Sequence, residues 1–208
     1  MAEVLTYPDN IVPDSIDWRI MYNTQVFTSP FGNTTQTAEI PGARWQARMN
    51  YSNLQQTELR ELAAFFIQLR GMSGRFKLYD LGLPYPQQAN GVAASIGATT
   101  VVSATRSSVT LTAGRAALLT VGDYLEVTPL PSGNNYVNSG PELKMVTGIN
   151  GDTVNIEPPF RIIPSDTETV TFDKCQTRFM LDSDDQAGWS TAGSIYLSNF
   201  SVSCVEIF

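Results

Sequence analysis

The chain has 208 residues, of which 42% are hydrophobic, enough to fill the core of one large domain or two small ones. Its formal net charge is −7, and its 13 Lys and Arg residues are scattered along the sequence, which argues against a surface that grips nucleic acid. There is no histidine, so nucleophilic systems built on a Ser-His or Cys-His pair are excluded.

The sequence also bears on the compartment and on cysteine chemistry. We see no leader of the kind that secreted proteins have, in which a charged segment is followed by an apolar segment and then by small residues. The longest apolar run, Leu62 to Ile67, is too short to span a bilayer. We therefore expect no signal peptide and no membrane partner. Cys175 and Cys204 are the only cysteines, and we expect buried, reduced thiols, with a single disulfide as the alternative.

The N-terminal part of the chain is typical of strands. Residues 16–22 alternate between apolar and polar side chains, which is the period of a strand with one buried face. Residues 44–51 alternate more sharply still, with four apolar side chains on one face: Trp45, Ala47, Met49 and Tyr51. We expect Trp18 and Trp45, which lie on the apolar phase, to pack in the core.

One amphipathic helix follows, and no second helix is indicated elsewhere. It has an apolar stripe at steps of three and four residues: Leu59, Leu62, Phe66 and Leu69. This spacing predicts a helix over residues 53–70 that lies on a sheet. Ser52 and Gln55 have the spacing of a capping box at its start, and Gly71 is placed to end it in a left-handed turn.

The composition of the sequence changes after residues 75–81, which are predicted to form the strand that follows the helix. The segment GLPYPQQANG, residues 82–91, is rich in Pro and Gly and indicates a domain crossing. Five short β-like segments follow, and Asn150-Gly151 between two of them is a strong hairpin signal. A second proline-rich segment, residues 157–166, indicates a crossing back.

Two proline-rich segments flank a stretch of short β-like segments whose composition differs from the rest of the chain. This arrangement indicates an inserted domain. Residues 91–163 would form a small closed or nearly closed β-barrel, set into a β-sandwich built from residues 1–90 and 164–208. The predicted fold is therefore mainly β, with a sandwich, one flanking α-helix and one inserted barrel.

The terminal strand has an irregular pattern. Residues 200–204 alternate between apolar side chains and serine, after which the apolar phase passes to Val205 and Ile207 on either side of Glu206. Such a change of phase predicts a β-bulge or a strand that changes sheets.

The sequence offers few groups for chemistry. Its one acidic cluster is Asp182, Asp184 and Asp185, but a calcium loop starting at Asp182 would need Gly and Glu where Ala187 and Gly193 stand. We interpret the cluster as a solvated turn. No phosphate-binding loop is present, and no carboxylate pair is marked as catalytic. We therefore assign no catalytic, cofactor-binding or metal-binding residue, and we expect neither a cofactor nor enzymatic activity.

Three segments together carry a family resemblance: WRIMYNTQVFTSPFGNTTQTAEIPGARWQARMNY, FFIQLRGMSGRFKLYD and FSVSCVEIF. They resemble distal tail or tail-hub proteins of long-tailed, siphovirus-type bacteriophages, which are related to the tail-tube fold. The shared features are a β-sandwich flanked by one helix, a Gly-x-x-Gly-x-Phe return into a strand, matched by Gly71, Gly74 and Phe76, and a final strand that ends near an acidic residue, here Glu206.

The resemblance covers about residues 15–85 and 170–208, and it implies a ring. Subunits of this type pack into a hexamer whose sheets line a channel, and an inserted barrel of the oligonucleotide/oligosaccharide-binding (OB) type would point outward. We therefore expect a structural virion protein that joins the tail tube to the tail-tip or baseplate proteins. DNA would pass through the lumen without specific binding, and the net charge of −7 favours an acidic or neutral wall.

Other functions stay open on the sequence. The barrel could make the chain a carbohydrate- or receptor-binding module of the tail tip, and the body alone fits an ordinary tail-tube subunit. A cell-wall hydrolase is the least favoured alternative, because no acid–base group can be named for it.

Overall fold

The strands and the α-helix are defined over most of the chain. The structure, a computed structural model, describes residues 4–87, 91–128, 140–185, 188–192 and 197–208. Within these ranges the α-helix is α1 (Gln56–Leu69), and two short 3-10 helices span Gly71–Ser73 and Ala116–Leu118. The strands, in chain order, are β1 (Val4–Thr6), β2 (Ser15–Thr28), β3 (Thr35–Leu54), β4 (Arg75–Tyr79), β5 (Ala98–Ala104), β6 (Ser108–Leu111), β7 (Tyr124–Val127), β8 (Glu142–Asn150), β9 (Thr153–Glu157), β10 (Thr169–Thr171), β11 (Gln176–Leu181), β12 (Trp189–Ala192) and β13 (Leu197–Glu206).

Seven of these strands form one sheet and six form a closed barrel. The order in the sheet is β1-β4-β11-β13-β3-β2, and β12 pairs with part of β13. The order in the barrel is β10-β5-β6-β9-β8-β7, closed by the pairing of β10 with β7. The prediction of a mainly β fold with one helix and a small closed barrel is therefore confirmed for the described residues.

The sheet buries one of its faces. Residues that are paired across neighbouring strands lie on the same face, and the register aligns Trp18 with Ala47 and Ala47 with Cys204. The predicted alternation in β3 is confirmed, because four inward side chains are each at most 2% exposed: Trp45, Ala47, Met49 and Tyr51. Trp18 is half-buried and lies edge-on to Trp45, with ring centroids 6.0 Å apart.

The body differs from the predicted β-sandwich. A sandwich needs two sheets that face each other, whereas the described strands outside the barrel share one hydrogen-bonded sheet. The helix and one end of the barrel cover its buried face instead. Phe66 of α1 stacks on Phe200 with centroids 5.2 Å apart, and Tyr124 of β7 lies edge-on to Trp45 at 5.7 Å. The barrel thus supplies the layer that a second sheet would provide.

The helix starts later than predicted because β3 continues to Leu54. Ser52 does not cap it: the Ser52 hydroxyl donates to Oδ2 of Asp14 at 2.7 Å. The N-cap is Gln55, whose backbone N–H donates to the carboxylate of Glu58 at 2.9 Å. The capping box is therefore present, but it lies three residues after the predicted one.

Two glycines shape the exit from α1. The chain leaves the helix through left-handed conformations at Arg70 and Gly71, with φ of 55° and 68°, so the predicted left-handed end is confirmed. It then passes so close to the last helical turn that a Cβ on Gly74 would lie 2.3 Å from the carbonyl oxygen of Leu69. This return leads directly into β4, whose Phe76 is fully buried.

The barrel extends beyond its predicted end at residue 163. Its sixth strand, β10, is three residues long and pairs with both β5 and β7. The proline-rich segment of residues 157–166 is therefore a loop of the barrel, and the crossing back to the sheet lies between Thr171 and Gln176. A strand whose only buried residue is Val170 is too short to show a period in the sequence.

Side chains fill the barrel, and its hairpin turn is close to the predicted one. The inward residues include Val109, Leu125 and Val154, each 0% exposed, so the barrel encloses a packed core. Strands β8 and β9 are joined by the two residues Gly151 and Asp152, because Asn150 still pairs with Thr153. The turn thus lies one residue later than the sequence predicts.

Strand β13 keeps a single phase at its C-terminal end. Residues 204–205 pair with residues 46–47 in unbroken register, and the irregularity in the ladder lies instead between Ser198 and Phe200. Of the two predicted alternatives, the change of sheet is therefore wrong, and the irregularity lies earlier in the strand than the sequence indicates. Glu206 lies on the buried face and is 1% exposed. The break in the apolar pattern marks a buried carboxylate.

Strands β2 and β3 continue beyond the sheet as a two-stranded arm, residues 22–42. The two strands pair with each other from Asn23–Ile40 to Thr28–Thr35, whereas β13 pairs with β3 only from Gln46 onward. Residues 21–28 and 30–39 are all exposed. Beyond its base, therefore, the arm has no packed layer on either face within the described part of the chain.

A first prediction concerns the packing of α1 on the sheet. Phe66 is 1% exposed and contacts the rings of Phe76 and Phe200, so Phe66→Ala leaves a cavity between helix and sheet. We expect the free energy of unfolding, measured by urea denaturation, to fall by about 3–5 kcal/mol. Its neighbour Ile67 is 60% exposed, and Ile67→Ala should change the same quantity by less than about 0.5 kcal/mol. Equal losses in the two variants would contradict this packing.

Candidate functional site

Four ionisable side chains meet in the interior where the barrel contacts the sheet. Glu142 and Lys144 come from β8, Arg161 from the loop after β9, and Glu206 from β13, and we call these four the junction cluster. Glu142, Lys144 and Glu206 are each at most 2% exposed, and the Arg161 side chain is 28% exposed. Two carboxylates face two cations, so the cluster is neutral as a set.

Glu206 connects the cluster to the sheet. Its Oε2 accepts the backbone N–H of Trp45 at 3.0 Å, and its Oε1 accepts the hydroxyl of Thr177 at 2.9 Å and lies 3.5 Å from Nη2 of Arg161. Trp45 in turn donates its indole N–H to the carbonyl oxygen of Leu143 in β8 at 2.9 Å. A buried carboxylate is costly unless it is paired and hydrogen-bonded, and both oxygens of Glu206 have donors.

Glu142 is held in the same way on the barrel side. Its Oε2 lies 2.8 Å from Nζ of Lys144 and accepts the backbone N–H of Arg161 at 3.1 Å, while Oε1 accepts that of Ile162 at 3.2 Å. Lys144 also donates to the carbonyl oxygen of Pro159 at 3.1 Å. Burial lowers the pKa of Lys144, and the charge of Glu142 opposes that shift. The pair thereby fixes the loop after β9 against β8.

Arg161 links the two carboxylates. Its Nε lies 3.9 Å from Oε1 of Glu142, and its guanidinium carbon lies 3.3 Å from the ring centroid of Phe208. Arg44 of β3 lies over the same ring at 5.0 Å. Burial lowers the pKa of Arg161, and the charges of Glu206 and Glu142 oppose the shift. Phe208 thus contacts cations from both the barrel loop and the sheet.

Two carboxyl groups outside the cluster complete the contact between barrel and sheet. Glu126 of β7 accepts the backbone N–H of Gln176 through Oε2 at 3.0 Å, and Asp80 accepts the hydroxyl of Tyr124 through Oδ2 at 3.2 Å. Burial raises the pKa of both Asp80 and Glu126. The hydrogen bonds oppose both shifts, so burial outweighs them.

The junction cluster is suited to holding two units in a fixed orientation. Each carboxylate oxygen of Glu142 and Glu206 has a hydrogen-bond donor within 3.2 Å. These donors satisfy both oxygens of each buried carboxylate within the protein. Removing one partner would leave an uncompensated buried charge, so the arrangement disfavours any shift of the barrel relative to the sheet.

Apart from Glu206, the residues singled out in the sequence as candidates for chemistry lie outside the cluster. Cys175 and Cys204 are free and buried, as expected, and burial raises the pKa of both thiols. Asp184 accepts the backbone N–H of Met72 at 2.8 Å, Asp185 contacts the hydroxyl of Ser183, and Asp182 is exposed. The described residues hold no group of three or more Cys, Asp or Glu placed to bind a metal ion. Ala187 and Gly193 lie outside the described ranges.

The face of the sheet opposite the helix, which we call the polar face, carries an excess of basic residues. Among the described residues its cations include Arg19, Arg44, Arg48, Arg75 and Lys77, and its carboxylates include Asp17 and Asp182. This excess differs from the acidic or neutral surface expected for a channel wall. The net charge of −7 is therefore carried elsewhere on the molecule.

The sequence singles out only one member of the junction cluster, Glu206, and the change of phase around it is interpreted as a β-bulge or a strand changing sheets. The signal that could have found it is a carboxylate at an inward position of an alternating strand, because such a residue must have buried donors. Glu142 and Lys144 show a related signal, since they lie two residues apart and therefore on one face of a strand. Nothing in the sequence connects them to Arg161.

Comparison with known proteins adds no family to these observations. No protein-family model matches the chain, and no curated protein sequence matches it either. Within the described ranges, no helix has the length and apolar character needed to cross a bilayer.

A second prediction concerns the junction cluster. Glu206→Ala leaves Arg161, the backbone N–H of Trp45 and the hydroxyl of Thr177 without their acceptor. The free energy of unfolding should therefore fall by about 3–5 kcal/mol. Asp166→Ala removes an exposed carboxylate from the barrel loop and should cost less than about 0.5 kcal/mol. In the double variant with Arg161→Met the combined loss should be smaller than the sum of the single losses. Strict additivity in urea denaturation would show that Glu206 and Arg161 do not interact.

A third prediction uses the raised pKa of Glu126. A carboxyl group with a raised pKa stabilises the fold below its ordinary value of 4.5 and loses that contribution as the pH rises through the folded-state pKa. Glu126→Gln cannot titrate, so its free energy of unfolding relative to wild type should increase from pH 4.5 to neutral pH. Urea denaturation at the two pH values measures this difference. A difference that stays constant, or changes in the opposite direction, would show that burial does not disfavour the charged form.

Proposed function

We propose that this chain is a structural, non-enzymatic protein of the distal tail of a long-tailed bacteriophage, where it forms a ring that joins the tail tube to the tail tip. The fold supports this role, because it combines a sheet body, one flanking helix and a small barrel within one chain. The Gly-x-x-Gly-x-Phe return that carries part of the resemblance lies between α1 and β4, with Gly74 against the helix end. In this proposal the protein is part of the virion and is assembled in the host cytoplasm.

The observation that carries the proposal is the form of the sheet. Its order places β1 and β2 at opposite ends, and β2 continues with β3 into an exposed arm. Open strand edges are templates for pairing with another chain. A subunit with different surfaces at its two ends adds copies head to tail, and such an arrangement closes into a ring when the rotation between copies allows it.

Within the ring, the two units have different roles. The sheet body, with its helix, forms the wall, and the OB-like barrel, whose strands span residues 98–171, lies outside as the contact for neighbouring tail-tip proteins. The junction cluster keeps the barrel in one orientation, so that each copy presents the same surface. Six copies would make the hexamer that the resemblance implies.

The charge of the polar face limits what is proposed for DNA. If this face lines the channel, its excess of cations over carboxylates attracts phosphate. A wall that repels DNA is therefore not part of the proposal. Passage of DNA through the ring remains part of it, with contacts that weaken as the salt concentration rises.

A fourth prediction tests the ring itself. Purified wild-type protein should form closed rings with a central hole in negative-stain images. Native mass spectrometry should give a mass six times that of the 22.8 kDa chain. A compact monomer at every concentration tested would contradict the ring, and would favour a monomeric receptor-binding module. Open filaments of stacked copies would favour a tube subunit instead.

A further inference from the structure

The tip of the arm is an exposed surface with an unusual composition. Residues 23–38 contain no charged side chain, and Val26, Phe27 and Phe31 are 60%, 58% and 100% exposed. Exposed strand edges in native proteins are normally protected by charge or proline, and a two-stranded hairpin alone is marginally stable in water. The arm therefore has the properties of an element that is completed by contact with another chain.

The tip is nevertheless ordered within its own chain. The backbone N–H of Ser29 donates to the carbonyl oxygen of Thr34 at 2.9 Å, and that of Asn33 donates to Ser29 at 3.1 Å. Asn33 adopts a left-handed conformation, with φ of 49°. A preformed tip loses little conformational freedom on binding, which lowers the cost of association. Phe31 is thus presented on a defined turn.

A second apolar surface lies where the chain enters the barrel. A cleft of about 350 Å³ is lined by both the linker and the turn before β7, and its large apolar residues are Leu83, Tyr85, Val121 and Phe172. Leu83 and Val121 are 56% and 66% exposed. Contiguous exposed apolar side chains of this kind mark interaction sites. We call this surface the linker cleft.

The linker cleft is preformed. Asp123, at its floor, accepts the backbone N–H of Gln87 at 2.8 Å through Oδ1 and that of Thr120 at 2.7 Å through Oδ2. These bonds tie Gln87 to the turn before β7, so this side of the cleft is held by the described residues themselves. The arm and the cleft share no lining residue, and they lie on different elements of the chain.

We propose that the tip of the arm of one subunit inserts Phe31 into the linker cleft of a neighbouring copy of the same chain. This inference rests on the proposed ring. The two surfaces are unlike and are both on every copy, which is what a head-to-tail contact requires. The arm strands extend about 20 Å past the sheet at the rise of a β-strand, far enough to reach an adjacent subunit. The tip itself carries no charge, and the carboxylate of Asp123 in the cleft already accepts hydrogen bonds through both oxygens, so insertion of the tip leaves no unpaired ion.

The test is a charge exchange across the contact. Phe31→Lys and Val121→Glu each place a charge in an apolar interface, so each should raise the dissociation constant between subunits at least about tenfold. In the double variant the new charges attract each other, and assembly should return at least in part. Val102→Glu, which charges a residue of β5 that is 52% exposed and outside both surfaces, should assemble like wild type. Assembly is measured by analytical ultracentrifugation, and the melting temperature of each variant checks that it is folded.

The outcomes separate this contact from the ring proposal. If wild-type protein forms no closed assembly, the ring itself is wrong. If wild-type protein forms rings and Phe31→Lys or Val121→Glu forms them equally well, the contact is wrong and the ring stands. Loss of assembly in both single variants without any recovery in the double variant would also overturn the pairing, because it would place the two residues in separate contacts, including contacts with another tail protein.

Discussion

A carboxylate placed inside the protein core constrains the positions of its surroundings. Glu206 is almost completely buried, and its burial is tolerable only while β3, β11 and Arg161 supply donors to both of its oxygens. Arg161 is in turn held against Glu142, which also binds Lys144 and the loop after β9. The contact between sheet and barrel therefore depends on polar pairing as well as on apolar packing, because Arg161 of the barrel loop reaches Glu206 of the sheet and Trp45 of the sheet donates to Leu143 of β8.

This constraint gives the molecule two different sides. The helix and the barrel cover the inward face of the sheet, where aromatic side chains from α1, β3, β7, β11 and β13 meet in one core. The polar face and the arm have no comparable cover in the described part of the chain. A subunit that presents an open face, open edges and an uncharged hairpin is suited to an assembly in which neighbours cover some of these surfaces. Because the two sides of the molecule differ, the polar face can carry an excess of basic residues although the net charge of the whole chain is negative.

Local periodicity predicts much of this fold. The alternation of residues 44–51 and the stripe from Leu62 to Leu69 identify the buried side of β3 and of α1, because each pattern repeats over several turns or pleats. The sequence does not predict strand β10, because three residues are too few to show an alternating pattern. The sequence predicts a sandwich instead of a single sheet, because the pattern within one strand does not reveal which strands pair with each other. The junction cluster is not predicted for a different reason, because only the tertiary fold brings Glu142, Arg161 and Glu206 together. In the sequence, an inward carboxylate looks like a break in the alternation of the strand, and only the structure shows the donors that it binds.

The central claim is that the chain is a wall subunit of a closed ring, with its barrel held outside by the junction cluster. A cryo-electron microscopy reconstruction of the assembled wild-type protein, at a resolution that separates β-strands, tests this most directly. We expect a closed ring of six copies in which the polar face of each sheet is turned toward the channel and the barrels lie on the outer surface. A reconstruction with barrels lining the channel, or with the polar faces on the outside, would contradict it.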